Sequence, residues 1–287
     1  MFTILTHTQS LEFNSLLMYI SKMENQSVED FYNTQGWEKI GEDTHDALIN
    51  ENLTEVAASY VTKVRNRIFQ NLGSGEFLLD VGCGPIQYPE YVQYSKNFKY
   101  RVCVDLSSKA LGLAEKRIGK HGIFVLGDYL SLGLLKEAPF DGATLINVLY
   151  HVEKERQERL VRKILNDLKP GAKLVIVYSN PRTFSAVITR FLVSVKRKFN
   201  FILRGSSGIK SRNPIYFYRF PFSFWNRFEN EATIEVKAWR TFSPALEKLF
   251  FRKHLAGHLL LKWLYQLENL AWWSRYAEYT IVTLIKH

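Results

Sequence analysis

The chain has few cysteines and no long apolar run. Only Cys83 and Cys103 occur among its 287 residues. Two cysteines cannot build a disulfide scaffold or a four-cysteine zinc site, so we expect a reducing compartment, the cytoplasm. The lack of about 18 consecutive apolar residues argues against a transmembrane helix. No Lys or Arg precedes Lys22, and polar residues interrupt the first positions, so we expect no signal peptide.

Acidic residues are scarce in the C-terminal third. The chain has a formal net charge of +10, and residues 181–287 hold 18 basic but only 6 acidic residues. Between Arg182 and Arg219 there are nine basic residues and no acidic residue. Such a stretch attracts phosphate, an anionic membrane surface or an acidic substrate, although a solvated basic face without a partner is an equal alternative.

Between residues 77 and 178, short apolar runs alternate with helical patterns. The runs predict strands at 77–81, 100–106, 122–126, 142–148 and 173–178. Ser107 can cap the helix after the second strand, and a helical face from Leu160 to Leu168 is stopped by Pro170-Gly171. This order predicts an α/β fold with a mostly parallel, doubly wound sheet that binds its ligand at the carboxyl ends of the strands.

The pattern changes after Ser179. Apolar residues at helical spacing, with basic residues among them, predict an amphipathic helix over 184–203. Strands are predicted at 233–239 and 280–285, with a helical, aromatic insertion over 244–273 between them. We therefore divide the chain into an N-terminal helical lid, a Rossmann-like core and basic, aromatic substrate-side additions, at residues 1–50, 51–180 and 181–287.

The most informative motif is Asp80-Val81-Gly82-Cys83-Gly84-Pro85, which follows a predicted strand. Gly82 and Gly84 allow a tight turn and a close approach of the backbone to a ligand. A dinucleotide fingerprint needs a third glycine at position 87, where this chain has Gln87. Asp80 is unfavourable beside a phosphate and suits a cationic amine. The motif therefore points away from NAD.

Acidic residues also follow the next two strands. Asp105, which precedes Leu106, lies 23 residues after Gly82, where an acid can accept hydrogen bonds from both ribose hydroxyls. Asp128 follows the third strand, where it can accept from an adenine amine with Tyr129 beside the ring. Each acid alone can be an ordinary cap or turn residue. Their register with the glycine loop favours a nucleoside site.

Roughly residues 50–180 resemble the class I S-adenosylmethionine-dependent methyltransferases. Besides the motifs above, the resemblance rests on the segments Asn147-Val148-Leu149-Tyr150-His151-Val152 and Leu168-Lys169-Pro170-Gly171-Ala172-Lys173-Leu174. It implies a Rossmann-like seven-stranded sheet with an antiparallel last strand. It also implies S-adenosylmethionine as cofactor, with its methionine part at the glycine loop, its ribose at Asp105 and its adenine at Asp128. The backbone near Asn147 would lie by the methionine amine.

Two residues after the fourth predicted strand are candidate catalytic groups. Methyl transfer needs the acceptor in line with the methyl group and, for a hydroxyl or amine, a base. His151 is the first candidate because its ordinary pKa suits neutral pH, although it can equally pack or orient a loop. Tyr150 is the second, with a pocket wall as the alternative. No group of acids or histidines has metal-ligand spacing, so we expect no metal.

No motif specifies the methyl acceptor. Tyr32 and Trp37 lie in an aromatic segment that resembles the lid of small-molecule methyltransferases, and we expect them to close over the cofactor. We therefore expect a small-molecule acceptor, which can be large and apolar or lipid-linked, with oxygen, nitrogen and carbon all open. The basic C-terminal third leaves RNA methylation open, and a non-catalytic cofactor-binding protein is a third hypothesis. The helix at 184–203 can contact an anionic membrane.

Overall fold

A seven-stranded sheet organises the molecule. The computed structural model describes residues 30–33, 39–40, 43–44, 54–133, 140–181, 183, 187–188, 191, 194, 216–244, 246–247 and 255–287. The strands of the sheet, β1 to β7, are Gly75–Val81, Phe98–Asp105, Gly122–Leu126, Phe140–Ile146, Leu168–Ser179, Ala232–Arg240 and Tyr279–Lys286. A separate two-stranded ribbon pairs Lys39–Ile40 with Asp43–Thr44.

The strand order of the sheet is β3-β2-β1-β4-β5-β7-β6. β1 pairs in parallel with β2 and β4, β2 with β3, and β4 with β5. β7 lies between β5 and β6 and runs antiparallel to both. The predicted Rossmann-like, mostly parallel sheet with an antiparallel last strand is therefore confirmed.

Helices cover both faces of the sheet. In chain order, α1 to α5 are Glu55–Asn71, Pro89–Gln93, Ser108–Ile118, Lys154–Asn166 and Leu255–Glu268. The predicted cap of α3 is confirmed, because the Ser107 hydroxyl oxygen accepts a hydrogen bond from the Ala110 N–H at 3.1 Å. α4 buries Leu160, Val161 and Ile164 against one face of the sheet, and α1 packs with α5 on the other. Among the described helices, none has the length and apolarity needed to cross a bilayer.

One segment, around Leu168, differs from the prediction. The helical face does not reach Leu168, because α4 ends before it and β5 already begins there. Pro170 and Gly171 lie inside β5, beside a register shift against β4, and Gly171 has a φ of 77°. Bulges accept Pro, which lacks a donor, and Gly, which adopts positive φ freely. The predicted insertion over 244–273 contains α5 and a 3-10 turn at Ala271–Arg275.

The carboxyl ends of β1 to β4 meet at one edge of the sheet. From β1 the chain runs outward through β2 to β3, and it then crosses back to β4 on the other side of β1. This reversal of strand order leaves a crevice beyond the ends of β1 and β4, where doubly wound folds bind their ligands. The glycine loop follows β1 directly, so the fold brings the predicted cofactor motif to this crevice.

Candidate active site

A cavity lies at the edge where β1 to β4 end. The loops that follow these strands form its wall, together with the start of α4 and part of the N-terminal segment. Nine of the predicted cofactor residues line it, namely Tyr32, Asp80, Gly82, Gly84, Asp105, Leu106, Asp128, Tyr129 and Asn147. His151 lines it as well. The topology thus gathers into one cavity residues that the sequence separates widely.

The glycine loop turns sharply after β1. Gly82 has a φ of 68° and Gly84 a φ of 57°, a region that L side chains rarely adopt. A Cβ at Gly82 would lie 2.4 Å from Cγ2 of Val148, in the loop after β4. Ile86 has a φ of 50° although it is β-branched and buried. Strain of this kind persists only where the surrounding fold enforces it, and it concentrates at functional sites.

Asp80 is buried at the cavity, where three protein side chains bind its carboxylate. Arg101 on β2 donates to Oδ2 from Nε at 2.9 Å and from Nη2 at 2.5 Å. The Tyr94 hydroxyl donates to Oδ2 at 2.8 Å and the Thr144 hydroxyl to Oδ1 at 2.6 Å. Burial lowers the pKa of Arg101, but the Asp80 carboxylate, together with Tyr94 and Cys103, more than offsets this and raises that pKa above its ordinary value. The sequence suggested a cofactor amine as the partner of Asp80, whereas the structure supplies Arg101, so Asp80 ties β1 to its two neighbouring strands.

Asp105 connects the end of β2 to the glycine loop. Its Oδ2 accepts a hydrogen bond from the Gly84 N–H at 2.9 Å, and its Oδ1 accepts one from the Ser107 N–H at 2.8 Å. Burial raises the pKa of Asp105, and these two hydrogen bonds oppose the rise. Among the described residues, the donors to this carboxylate are backbone N–H groups, so it retains lone pairs for hydroxyl donors of a ligand.

Asp128 and Tyr129 both have partners that the sequence did not predict. The Asp128 carboxylate accepts from the Leu130 N–H at 3.0 Å and pairs with Nη2 of Arg156 at 2.5 Å. The Tyr129 hydroxyl donates to Asp167 at 2.5 Å. Burial and this acid raise the pKa of Tyr129. Tyr129 therefore lines the cavity while its hydroxyl is anchored to Asp167.

Asn147 presents a buried acceptor to the cavity. Its φ of 59° lies in the left-handed region, and its backbone N–H donates to the Val177 carbonyl at 3.2 Å. No donor among the described residues reaches its side-chain oxygen, Oδ1. Leaving a buried acceptor without a partner costs about 1–3 kcal/mol. An atom in this state is suited to a ligand donor such as an ammonium group.

His151 reaches the cavity from the turn after β4. Its Nδ1 lies 3.0 Å from the Tyr216 carbonyl oxygen. A carbonyl only accepts, so Nδ1 carries the proton, and the neutral ring keeps a basic lone pair on Nε2. Burial lowers the pKa of His151, and the Tyr216 hydrogen bond opposes this only in part. The ring is therefore mainly neutral at pH 7.

Tyr150 does not line the cavity. Its ring packs in the core, with centroid distances of 6.0 Å to Tyr178 and 4.8 Å to Phe217. Its carbonyl accepts from the Tyr218 N–H at 2.8 Å. These contacts make Tyr150 a packing residue beside His151, and its role as the second catalytic candidate stays a prediction.

One buried amide fastens the segment around Tyr216 to the His151 turn. The Gln157 side-chain nitrogen donates to the Val152 and Tyr218 carbonyls, both at 2.9 Å. Its side-chain oxygen accepts from the Tyr178 hydroxyl at 3.2 Å. Because Gln157 is fully buried, these hydrogen bonds fix the position of the segment that places the Tyr216 carbonyl next to His151. Sequence reasoning missed Gln157, although a polar residue one turn before the buried face of α4 was a usable signal.

The N-terminal segment reaches the cavity through residues 30–33. Tyr32 lines the cavity, and the Asn33 side-chain oxygen accepts from the Ser107 hydroxyl at 2.6 Å, which fastens the segment to the end of β2. Trp37, the other predicted lid residue, lies outside the described residues. Most of the predicted helix at 184–203 also lies outside them.

One cluster within the described residues has atoms close enough to share a metal. Ligand atoms of Asp80, Cys83 and Cys103 lie within 4.8 Å of one another. A hydrogen bond with Cys103, and then burial, raise the pKa of the Cys83 thiol. A protonated thiol is a poor ligand, and Arg101 already binds Asp80. These residues do not suit a metal ion.

The residues of the cavity suit S-adenosylmethionine. Asn147 offers an acceptor to the methionine ammonium, and Asp105 offers one to the ribose hydroxyls. The carboxylates of Asp105 and Asp128 at the strand ends disfavour a pyrophosphate, and Gln87 lines the cavity where a dinucleotide fold needs glycine.

Three solved structures share this architecture. Magnesium protoporphyrin IX methyltransferase from Synechocystis PCC 6803 with bound SAH has a TM-score of 0.56 at 12% identity, over 91% of this chain and 98% of that chain. The N-methyltransferase NodS from Bradyrhizobium japonicum WM9, in complex with S-adenosyl-L-homocysteine, has a TM-score of 0.52 at 14% identity, over 92% and 98%. A possible histamine N-methyltransferase from Thermotoga maritima has a TM-score of 0.51 at 15% identity, over 80% and 90%. At these identities the likeness shows the fold.

The sequence comparison identifies the domain. Residues 79–176 match a family described as a methyltransferase domain. No curated protein matches the chain. The matched residues run from β1 into β5 and contain the glycine loop, the acids at the strand ends and His151. Residues 79–176 therefore form a methyltransferase domain, and the predicted resemblance to the class I S-adenosylmethionine-dependent methyltransferases is confirmed for this part of the chain.

Proposed function

We propose that this protein methylates a proton-bearing oxygen or nitrogen of a small molecule and that His151 is the general base. The observation that carries the proposal is the 3.0 Å contact of His151 Nδ1 with the Tyr216 carbonyl oxygen. The Tyr216 carbonyl holds the ring proton on Nδ1, so Nε2 is the basic atom of a neutral ring that lines the cavity. The cofactor supplies a methyl group already activated as a sulfonium. The protein has to align the acceptor, exclude water and take up the acceptor's proton.

We assign the cofactor contacts to the acids and the amide of the cavity. Asp105 accepts from the ribose hydroxyls, and Asn147 accepts from the methionine ammonium, which gives its Oδ1 a partner. Asp128 accepts from the adenine amine beside its ion pair with Arg156. Tyr32 covers the cofactor from the N-terminal segment, whose anchor at Ser107 supports this role.

A small acceptor agrees better with the site than RNA does. The N-terminal segment is fastened beside the cavity, which limits the room for a polynucleotide. Two of the similar structures are named for small acceptors, magnesium protoporphyrin IX and histamine, although one fold serves many acceptors. RNA methylation retains one supporting feature, the nine basic residues between Arg182 and Arg219.

Labelled cofactor tests the acceptor class. The protein would be incubated with S-adenosylmethionine carrying a radioactive methyl group and with either a low-mass metabolite extract or total RNA. We expect label in the low-mass fraction. Label confined to RNA would establish the alternative function, and cofactor binding without transfer to either pool would indicate a non-catalytic protein.

Two histidine variants test the base. His151→Asn is expected to lose about 100- to 10,000-fold in kcat while S-adenosylhomocysteine binds with little change. His121→Asn is the matched control, because Nδ1 of His121 also lies near a carbonyl oxygen, that of Lys99 at 3.1 Å, but His121 does not line the cavity. Equal kcat in the two variants would remove His151 from the mechanism.

A further inference from the structure

A row of large apolar side chains lies exposed on α5 and on the 3-10 turn after it. We name this row the aromatic face, and it consists of Leu259, Leu260, Trp263, Leu270, Trp272 and Tyr276. Trp263 is 71% exposed and Trp272 is 56% exposed. The opposite side of α5 buries Leu261 and Leu264 in the core. The helix therefore has a second apolar side that the described fold does not cover.

The members of the aromatic face are neighbours along the chain. Leu259 and Leu260 lie four and three residues before Trp263, so they share one side of the helix with it. Beyond the helix, the rings of Trp272 and Tyr276 are 6.1 Å apart. An extended group of exposed apolar residues usually marks an interaction surface.

A second exposed apolar pair, Val187 and Phe191, follows the end of β5 in the chain. Ser179, the last residue of β5, pairs with Tyr279, the first residue of β7. The turn that carries Tyr276 lies just before Tyr279 in the chain. The helical residues Val187 and Phe191 follow eight and twelve residues after Ser179. Val187 is 52% exposed and Phe191 is 67% exposed. Because β5 runs parallel to β4, the end of β5 is on the edge of the sheet that holds the cavity.

The exposed charged residues next to the aromatic face in the chain are basic. The acidic residues from 241 to 287 are Glu247, Glu268 and Glu278, and all three are buried. Glu247 pairs internally with Arg240 at 2.6 Å, and Glu268 with Arg67 at 2.9 Å. The basic side chains of Lys262 and Arg275, by contrast, are exposed beside the aromatic face.

We propose that the aromatic face, with Val187 and Phe191, docks the protein on an anionic lipid bilayer. Exposed Trp and Tyr rings beside Lys and Arg match the headgroup region of such a membrane, where rings partition and cations meet lipid phosphates. Pairing with a second copy of this chain would bring two cationic surfaces together, so charge disfavours that occupant. The docking surface shares an edge of the sheet with the cavity and is therefore placed to receive an acceptor dissolved in the membrane. The docking itself does not rest on the identity of the acceptor.

Vesicle flotation tests the docking. The whole protein would be floated with vesicles of phosphatidylcholine alone and of phosphatidylcholine mixed with phosphatidylglycerol. We expect binding to the mixed vesicles that weakens as salt is added. Trp263→Ser with Trp272→Ser is expected to weaken binding by about tenfold or more, because both rings lose their burial in the interface. Lys262→Ala and Arg275→Ala are each expected to cost about fivefold.

The control variant lies on β3, the outermost strand at the far end of the sheet from β7 and β6. Ile123→Ser with Leu126→Ser on β3 removes two apolar side chains that are 42% and 55% exposed. It is expected to bind vesicles like the unchanged protein, and all variants should retain S-adenosylhomocysteine binding as a check of folding. Equal binding to neutral and mixed vesicles, no binding to either, or equal weakening by the control variant would overturn the proposal. Conversion of a dimer to a monomer by the tryptophan variant, without vesicle binding, would assign the face to a second copy instead.

Discussion

Replacing Gly82 with alanine tests whether the glycine loop is held by contact with the loop after β4. The added Cβ would lie 2.4 Å from Cγ2 and 3.0 Å from Cγ1 of Val148. Real Cβ atoms do not approach carbon so closely, so one of the two loops has to move. Both loops line the cavity, and the movement therefore changes cofactor binding as well as stability.

The cost of Gly82→Ala has two parts. Overpacking of a formed structure costs about 1–3 kcal/mol. The φ of 68° adds about 1–2 kcal/mol for a residue with a Cβ. The sum is about 2–5 kcal/mol. If only the lower bound appears in binding, cofactor affinity falls about thirtyfold.

Val148→Ala separates the two parts. It removes both γ-carbons, after which the nearest remaining atom of that side chain is Cβ at 3.3 Å. A neighbour at that distance has to yield by only a few tenths of an ångström. The double variant is therefore expected to recover the overpacking part and to keep the backbone part of about 1–2 kcal/mol.

Calorimetric titration with S-adenosylhomocysteine and thermal unfolding measure the double-mutant cycle. Gly112→Ala on α3 is the control, because a Cβ there meets no atom within 4 Å. It is expected to stabilise the protein by about 0.5–1 kcal/mol and to leave binding unchanged. Unchanged affinity and stability in Gly82→Ala, or strict additivity with Val148→Ala, would refute the steric argument.

Three further predictions concern charged and titrating groups. Because burial lowers the pKa of His151, its neutral form persists below pH 6.5. The value of kcat/KM should therefore fall with acid only below pH 6.5, and His151→Asn should abolish this acidic limb of the pH profile. Arg101→Met leaves the Asp80 carboxylate buried without its cation and is expected to cost about 3–5 kcal/mol in denaturant unfolding; a loss under 1 kcal/mol would contradict the pairing. Asp105→Asn is expected to weaken S-adenosylmethionine binding about ten- to hundredfold in calorimetry, and unchanged affinity would remove Asp105 from the cofactor contacts.

The strands of the core were predictable because parallel strands buried on both faces form continuous apolar runs. β3 has the predicted bounds, 122–126, and the other core strands overlap their predicted runs. The failure at Pro170-Gly171 has a physical reason. Proline and glycine end helices, but they also occur in β-bulges. Only the pairing of β5 with β4 decides whether Pro170-Gly171 marks a helix end or a bulge.

The positions of the site residues were predictable, but their partners were less so. A lone arginine within a predicted buried strand demands a buried acid, so Arg101 was within reach of sequence reasoning. No local pattern indicates that Arg156 meets Asp128, since the contact depends on how α4 packs beside the loop after β3. The contact of Tyr216 with His151 spans 65 residues, and only the docked fold creates it.

The partners of the acids determine the charge of the described cavity lining. Asp80 is balanced by Arg101 and Asp128 by Arg156, and burial keeps His151 mainly neutral. Asp105 differs from the other two acids, because the donors to its carboxylate are backbone N–H groups that carry no formal charge. The lining is thus left with about one negative charge. S-adenosylmethionine carries one net positive charge, from its sulfonium and ammonium against its carboxylate, and it loses that charge with the methyl group. A site of this charge attracts the methyl donor more strongly than the spent product, which favours product exchange after each transfer.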